Sequence, residues 1–170
     1  MQCKDLGIEI VSECEIAPEY FSSFDLIVDS MFGFSFNSSE RIREPFAKII
    51  SVLSILTDVP IISIDVPSSW NVDTLTQLPA IAKFKPRALV SLTVPKTCSF
   101  NFDGVHYVGG RFVPPSIVSE FKLKVPEYGN NANQVVKLSS SPSPTESSIR
   151  HAGLLEEEND GRVRYFFNGN

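Results

Sequence analysis

The amino-acid sequence predicts an α/β fold built on an open, doubly wound and mostly parallel sheet. Two short runs, DLIVD at 25–29 and PIISID at 60–65, are continuously apolar, as expected for strands that are covered on both faces. A helix is predicted between them, which makes a right-handed crossover between parallel strands. Its apolar residues recur at three- and four-residue steps: Phe46, Ile49, Ile50, Leu53 and Leu56.

The remaining elements follow in chain order. GIEIV at Gly7–Val11 has the composition of an early strand. Pro45 stands where a first-turn proline is tolerated and opens the crossover helix. RALVSLTV at Arg87–Val94 predicts another buried strand, and VHYV at Val105–Val108 predicts a last one. PSIVSEF at Pro115–Phe121 predicts a short helix that begins beside a pair of prolines.

The composition changes near residue 139. The segment SSSPSPTESS at 139–148 buries too little apolar area to offset the entropy of ordering it. VRYFF at 163–167 follows an acidic cluster and is compatible with a short strand or a docking peptide, although we expect a flexible tail there. The chain therefore divides into a folded domain at 1–138 and a disordered tail at 139–170.

Charge and apolar patterning exclude several classes of function. The net charge of -5 offers no electrostatic footprint for nucleic acid or for anionic membrane surfaces. The apolar run at Ile49–Thr57 has about half the length of a membrane-spanning helix. No targeting peptide is visible in this chain, because Asp5 and Glu9 stand in its first ten residues. The three cysteines form no CxxC pattern, which favours a reducing compartment.

Polar residues follow the predicted parallel strands at the points where those strands end. Asp29 and Asp65 end two of the strands, Thr93 and Lys96 follow a third, and Ser68 lies close in sequence to Asp65. Ligands of open α/β sheets bind outside the carboxyl ends of the strands, so we expect these residues at one edge, beside the loop GFSFNSS at 33–39. The alternative is that each Asp only caps a turn or a helix.

Several familiar sites are absent from the sequence. It contains no GxGxxG, GxxxxGK or GxSxG motif. Of the two histidines, His106 lies in a predicted strand and is expected to be a packed residue, and His151 lies in the tail. Histidine-rich transition-metal sites and serine or cysteine triads are therefore disfavoured. Oxygen ligands for a hard cation remain available.

Five blocks of sequence, in order, resemble the NAD(P)H-hydrate epimerases, the family of the YjeF N-terminal domain that includes the apolipoprotein A-I-binding protein. The resemblance covers Met1–Leu138 and corresponds to the second half of the family domain, whose fold is Rossmann-like. Domain 1–138 is thus expected to lack the N-terminal portion. The blocks are FDLIVDSMFGFSF (24–36), REPFAKIISVL (43–53), PIISIDVPSSW (60–70), SLTVPK (91–96) and HYVGGRFVPP (106–115).

The resemblance implies that the R and S epimers of hydrated NADH and NADPH are interconverted, which serves nicotinamide nucleotide repair. It implies a potassium ion on Asp29 and Ser68, and Asp65 as the acid–base candidate as well as a substrate contact. The hydroxyl-bearing carbon would epimerise by loss of hydroxide or by ring opening. The implied substrate-binding loop comprises Gly33, Phe34, Ser35, Phe36, Asn37, Ser38 and Ser39.

The resemblance also implies partners and a location. We expect a homodimer, an apolipoprotein A-I-like partner, and an NAD(P)H-hydrate dehydratase that acts on the product. We expect no binding to nucleic acid or membrane. The expected compartment is the cytoplasm or the mitochondrion.

Two departures from the family pattern bear on activity. The family's Asn-Asn-Gly-Gly-Asp phosphate loop and a further potassium-ligating Asn have no counterpart here. The usual Gly-Trp-Asp is replaced by Ser69, Trp70 and Asn71, and Ser69 is expected to occupy a backbone conformation that suits glycine. The alternative function is a noncatalytic dimerisation module of the same fold, as in enhancer-of-decapping proteins.

Overall fold

A computed structural model describes eight separate parts of the chain, together with the backbone of two further strands. Statements about the structure below refer to these residues. The described parts are 2–10, 16–33, 36, 42–72, 84–99, 102–110, 113–123 and 134–138, and the two further strands are 152–157 and 163–167.

The centre of the fold is a five-stranded sheet with the strand order β1-β2-β3-β4-β5. The first four strands are parallel, and β5 runs antiparallel to β4. The four parallel strands confirm the runs predicted at 25–29, 60–65, 87–94 and 105–108. The strands are β1 (Ile27–Asp29), β2 (Ile61–Ile64), β3 (Ala88–Leu92), β4 (Val105–Gly109) and β5 (Val135–Lys137).

Within the described ranges, four short helices and one 3-10 turn accompany the sheet. The predicted crossover helix is α3, and its buried face packs on β2 through Ile50, Leu53 and Ile61, with Phe84 completing this core. The predicted segment at 115–121 is also helical. The elements are α1 (Gln2–Asp5), α2 (Pro18–Ser22), α3 (Phe46–Leu53), the 3-10 turn (Thr97–Ser99) and α4 (Pro115–Glu120). None of these helices combines the length and apolarity that a membrane span requires.

The strand predicted at Gly7–Val11 is wrong for its described residues, 7–10. Gly7 has a φ of 70° and ends α1, with its N–H donating to the carbonyl of Lys4. The N–H of Ile8 donates to the carbonyl of Cys3, which completes a Schellman motif. The N–H groups of Gly7 and Ile8, which a strand could donate to a neighbouring strand, are therefore used to end the helix.

The structure places two strands in the segment that we expected to be a flexible tail. Strands β6 (Ala152–Glu157) and β7 (Val163–Phe167) pair antiparallel as a separate two-stranded sheet. The short-strand interpretation of VRYFF is the one that the structure shows, in keeping with its β-branched and aromatic residues. The predicted linker at 139–148 lies outside the described residues.

Candidate functional site

Asp65 follows β2 directly and occupies a tight turn at the carboxyl end of the sheet. Its φ is 70°, and the N–H of Val66 donates to the carbonyl of Ile64 at 2.9 Å, the pattern of a γ-turn centred on Asp65. The N–H of Asp65 itself donates to the carbonyl of Val90 at 2.8 Å. A non-glycine residue held in the left-handed region costs about 1–3 kcal/mol, and such strain collects at functional sites.

Thr93 repeats this turn at the end of the neighbouring strand, β3. Its φ is 69°, and the N–H of Val94 donates to the carbonyl of Leu92 at 2.8 Å. The N–H of Thr93 donates to the carbonyl of Gly109 at 2.7 Å, which ties the turn to β4. The two turns thus bring Asp65 and Thr93 to the same edge of the sheet, as the sequence predicted.

The carboxylate of Asp29, at the end of β1, is buried among neutral donors. Its Oδ2 accepts from the Ser63 hydroxyl at 2.7 Å and from the Ser68 N–H at 2.9 Å, and its Oδ1 accepts from the Ser68 hydroxyl. Asp29 is 2% exposed and Ser68 is 0% exposed. Among the described residues, no basic side chain forms an ion pair with Asp29. The structure therefore brings the predicted pair of Asp29 and Ser68 together around a buried negative charge.

The segment after β1 is fastened to this cluster and leads to Asp65. The N–H of Met31 donates to Oδ1 of Asp29 at 3.4 Å, and the N–H of Phe32 donates to the Ser68 hydroxyl at 3.1 Å. Gly33 comes next, and a Cβ added to it would lie 3.6 Å from Oδ2 of Asp65. Consequently the surroundings of the two aspartates are connected through Met31, Phe32 and Gly33.

Part of the predicted substrate loop can be located. The N–H of Phe36 donates to the carbonyl of Gly33 at 3.0 Å, and the rings of Phe32 and Phe36 stack with centroids 4.5 Å apart. The ring of Phe46, at the start of α3, lies against Phe32. Five predicted members of the loop lie outside the described residues: Phe34, Ser35, Asn37, Ser38 and Ser39.

Lys96 forms an ion pair with Asp65 that sequence reasoning did not find. Its ammonium donates to Oδ1 of Asp65 and, at 2.8 Å, to the carbonyl of Leu92. Oδ1 of Asp65 also accepts from the N–H of Leu92 at 3.4 Å. The side chains of Lys96 and Asp65 are 16% and 10% exposed, so the pair is shielded from bulk water. The sequence placed both residues at this edge but gave no signal for their contact, since they lie 31 residues apart.

Ser69 occupies the backbone conformation that its departure from the Gly-Trp-Asp pattern predicted. Its φ is 83°, which confirms that the position suits glycine. The residue is 1% exposed, and no group in the described parts of the chain forms a hydrogen bond with its hydroxyl. The next residue, Trp70, is anchored by its indole N–H, which donates to the carbonyl of Phe84 at 3.0 Å. The turn at 68–70 is therefore well packed but carries local strain at Ser69.

His106 is a packed residue of β4, as predicted. One ring nitrogen, Nε2, lies 2.8 Å from the hydroxyl of Ser91 on β3, and the ring meets Phe102 edge to face. Burial lowers the pKa of the His106 imidazole from 6.5 to about 4. Within the described residues, no three His, Cys, Asp or Glu side chains cluster as metal ligands.

Comparisons with known proteins identify relatives for most of the folded domain. Residues 1–98 match the family model described as YjeF-related protein N-terminus. Proteins named NAD(P)H-hydrate epimerase from Aedes aegypti and Fusarium vanettenii are 41% and 42% identical to this chain, over 81% and 82% of it. The crystal structure of yeast ynu0 superposes with a TM-score of 0.64, at 34% identity over 81% of this chain.

These alignments span only part of each relative. They cover 57% of the Aedes aegypti protein, of the Fusarium vanettenii protein and of the yeast chain. The chain thus spans somewhat more than half the length of the proteins it matches. The yeast structure, like the sheet described above, supports the Rossmann-like α/β fold that the sequence predicted.

Proposed function

Because the chain belongs to the YjeF-related N-terminal family, we propose that it interconverts the R and S epimers of hydrated NADH and NADPH. The observation that carries this proposal is the position of Asp65. This carboxylate lies at the carboxyl edge of a parallel sheet, in a strained turn, with Gly33 beside it and a lysine in contact. A residue held in this way is typical of a site that performs chemistry.

Epimerisation changes the configuration at the carbon that bears the hydroxyl and adjoins the ring nitrogen. A bond at this carbon must break and form again on the other face, either by loss and return of hydroxide or by opening and closing of the ring. Both routes require a group that moves a proton at the hydroxyl. Asp65 is the candidate for that group, and positioned acid–base catalysis contributes about 10²–10⁴-fold to a rate.

The surroundings of Asp29 fit a monovalent cation such as potassium. A buried carboxylate whose described partners are all neutral leaves a negative charge that a cation would offset. Asp29 and Ser68 supply the oxygen ligands that a hard cation prefers. A bound potassium ion would supply fixed positive charge. Asp29 and Ser68 also accept hydrogen bonds from the N–H groups of Met31 and Phe32, so the same two residues set the position of Gly33.

Other properties implied by the family resemblance stay predictions. They are a homodimer, an apolipoprotein A-I-like partner, and a dehydratase that consumes one epimer of the product. The cytoplasm or the mitochondrion is the expected compartment. The repair of hydrated nicotinamide nucleotides follows from the same proposal.

The alternative, a noncatalytic interaction module, is favoured by the edge strand β1. This strand ends the five-stranded sheet, and Leu26 and Val28 are 46% and 57% exposed. Exposed apolar edges are sites where another strand or chain can pair. A noncatalytic module would not require a strained turn at Asp65. We prefer the enzyme because that turn is present.

The proposed function is tested by the interconversion of R- and S-hydrated NADPH with the purified chain. We expect the wild type to equilibrate the epimers, and Asp65→Asn to lower the rate about 10²-fold or more while the chain stays folded by circular dichroism. Asp103→Asn is the matched control, because Asp103 pairs with Lys85 at the surface and its side chain is 78% exposed. A wild-type chain that is folded and inactive, or an unchanged rate for Asp65→Asn, would contradict the proposal.

A further inference from the structure

The pair formed by Lys96 and Asp65 depends on the two γ-turns at the edge of the sheet. The turn at Thr93 reverses the chain after β3, so that Lys96 returns to the carbonyl of Leu92, four residues earlier. The turn at Asp65 directs its carboxylate toward the same end of β3. The ammonium of Lys96 therefore contacts Asp65 while it is also held by the carbonyl of Leu92.

The two oxygens of the Asp65 carboxylate have different surroundings. Oδ1 accepts from the ammonium of Lys96 and from the N–H of Leu92, both of which belong to the β3 side. Oδ2 faces Gly33, on the side of the substrate loop. With Oδ1 engaged on β3, the carboxylate plane is fixed and Oδ2 is presented toward the loop.

We propose that Lys96 is a positioning residue whose ion pair fixes the carboxylate of Asp65 and directs it toward the substrate, so that Asp65 begins the reaction as a base. This inference rests on the proposed epimerase function. The pair is shielded from bulk water, and the attraction between two charges is stronger there than at an exposed surface.

A carboxylate that begins as a base selects the ring-opening route. Asp65 takes the proton of the substrate hydroxyl, the oxygen forms a C=O bond, and the bond from that carbon to the ring nitrogen breaks. The electron pair of the broken bond goes to the nitrogen, which takes the same proton from Asp65. After rotation of the aldehyde group, the reverse steps close the ring on the other face and restore the carboxylate. Loss of hydroxide would instead require Asp65 to begin protonated.

The test compares Lys96→Met and Lys96→Arg with the wild type in the epimerisation assay. We expect Lys96→Met to lower kcat at least about tenfold with little change in KM, and Lys96→Arg to recover part of the loss because its charge is kept.

Lys85→Met is the matched control. Lys85 also pairs with an aspartate, Asp103, but both side chains are exposed. The two residues precede β3 and β4, so they lie at the amino ends of the strands, away from Asp65. We expect its kcat and KM to match those of the wild type. Circular dichroism and thermal unfolding of Lys96→Met and Lys96→Arg show whether each variant is folded.

The outcomes separate this inference from the proposed function. An inactive, folded wild type contradicts the proposed function and removes the role of Lys96 with it. An active wild type whose Lys96→Met variant keeps its kcat contradicts only the role of Lys96. An equal loss of kcat in Lys96→Met and Lys96→Arg, with both variants folded, also contradicts it, because the charge would then be irrelevant.

Discussion

Gly33 lies directly against the carboxylate of Asp65, and a methyl group at Gly33 would stand 3.6 Å from Oδ2. This distance is an ordinary van der Waals contact, so the folded chain can accept the methyl group. It would nevertheless occupy the space between the loop and the proposed reacting group. A substitution at Gly33 can therefore alter the site while the fold is kept.

We predict that Gly33→Ala keeps the free energy of unfolding within about 0.5–1 kcal/mol of the wild type. Its epimerisation kcat/KM should fall by about tenfold or more, because one excess methyl group in a fitted site costs about 1–3 kcal/mol. Urea unfolding and steady-state kinetics measure the two quantities. Gly110→Ala is the contrasting variant: with a φ of 101° at Gly110, it should lose about 1–2 kcal/mol of stability. An unchanged kcat/KM for Gly33→Ala would contradict the placement of substrate beside Gly33.

Replacement of Ser69 with glycine should stabilise the chain. Glycine removes the penalty for a φ of 83° and the unpartnered buried hydroxyl, and these gains exceed the entropy cost of glycine by about 1 kcal/mol. Chemical denaturation measures the change. Ser63→Ala is the matched control, and it should destabilise the chain by about 1–2 kcal/mol because the hydroxyl of Ser63 donates to buried Asp29. A loss of stability in Ser69→Gly would show that the hydroxyl is needed.

Potassium should stabilise the folded chain through Asp29. If the ion binds with a Kd near 10 mM, about 100 mM KCl contributes on the order of 1 kcal/mol and raises Tm by about 2–4 °C. The reference is tetramethylammonium chloride at equal ionic strength. Asp29→Asn should remove the difference between the two salts, whereas Asp103→Asn should keep it. Equal Tm values of the wild type in both salts would contradict a potassium site.

Stability should fall between pH 7 and pH 5 because of His106. Burial lowers the pKa of its imidazole to about 4, so the unfolded chain binds more protons in this range and unfolding becomes easier as the pH falls. The loss from this group is about 2 kcal/mol at pH 5. The variant His106→Gln should show a smaller decrease, as measured by urea unfolding at both pH values. An identical decrease would indicate that other groups cause the pH dependence.

The parallel strands were predictable because their signal is local. Strands that are buried on both faces require nearly continuous apolar runs, and the runs at 60–65 and 87–94 consist mostly of apolar residues. GIEIV carries a similar composition, but Gly7 terminates a helix, and none of the described strands pairs with residues 7–10. Strand β5 has three residues and depends on β4 for its pairing, so the local sequence does not predict it as a strand.

The candidate site was predictable only in part. The position of each aspartate follows from the strand ends, and the strain at Ser69 follows from the family pattern that the sequence resembles, in which a glycine is usual there. The contact between Lys96 and Asp65 depends on two γ-turns whose central residues, Asp65 and Thr93, are not glycine. The β-branched Thr93 has no local propensity for a positive φ, and hydrogen bonds from the N–H groups of Asp65 and Thr93 to neighbouring strands help to hold both turns.

The binding of hydrated NADPH to the purified chain tests the central claim most directly. In KCl, near-saturating ligand at about 100 times its Kd should stabilise the chain by about 2.7 kcal/mol, seen as a rise in Tm of several degrees. The rise should be smaller for Gly33→Ala. A folded wild-type chain whose Tm does not change with millimolar hydrated NADPH would contradict a nucleotide site at Asp65 and would favour the noncatalytic module.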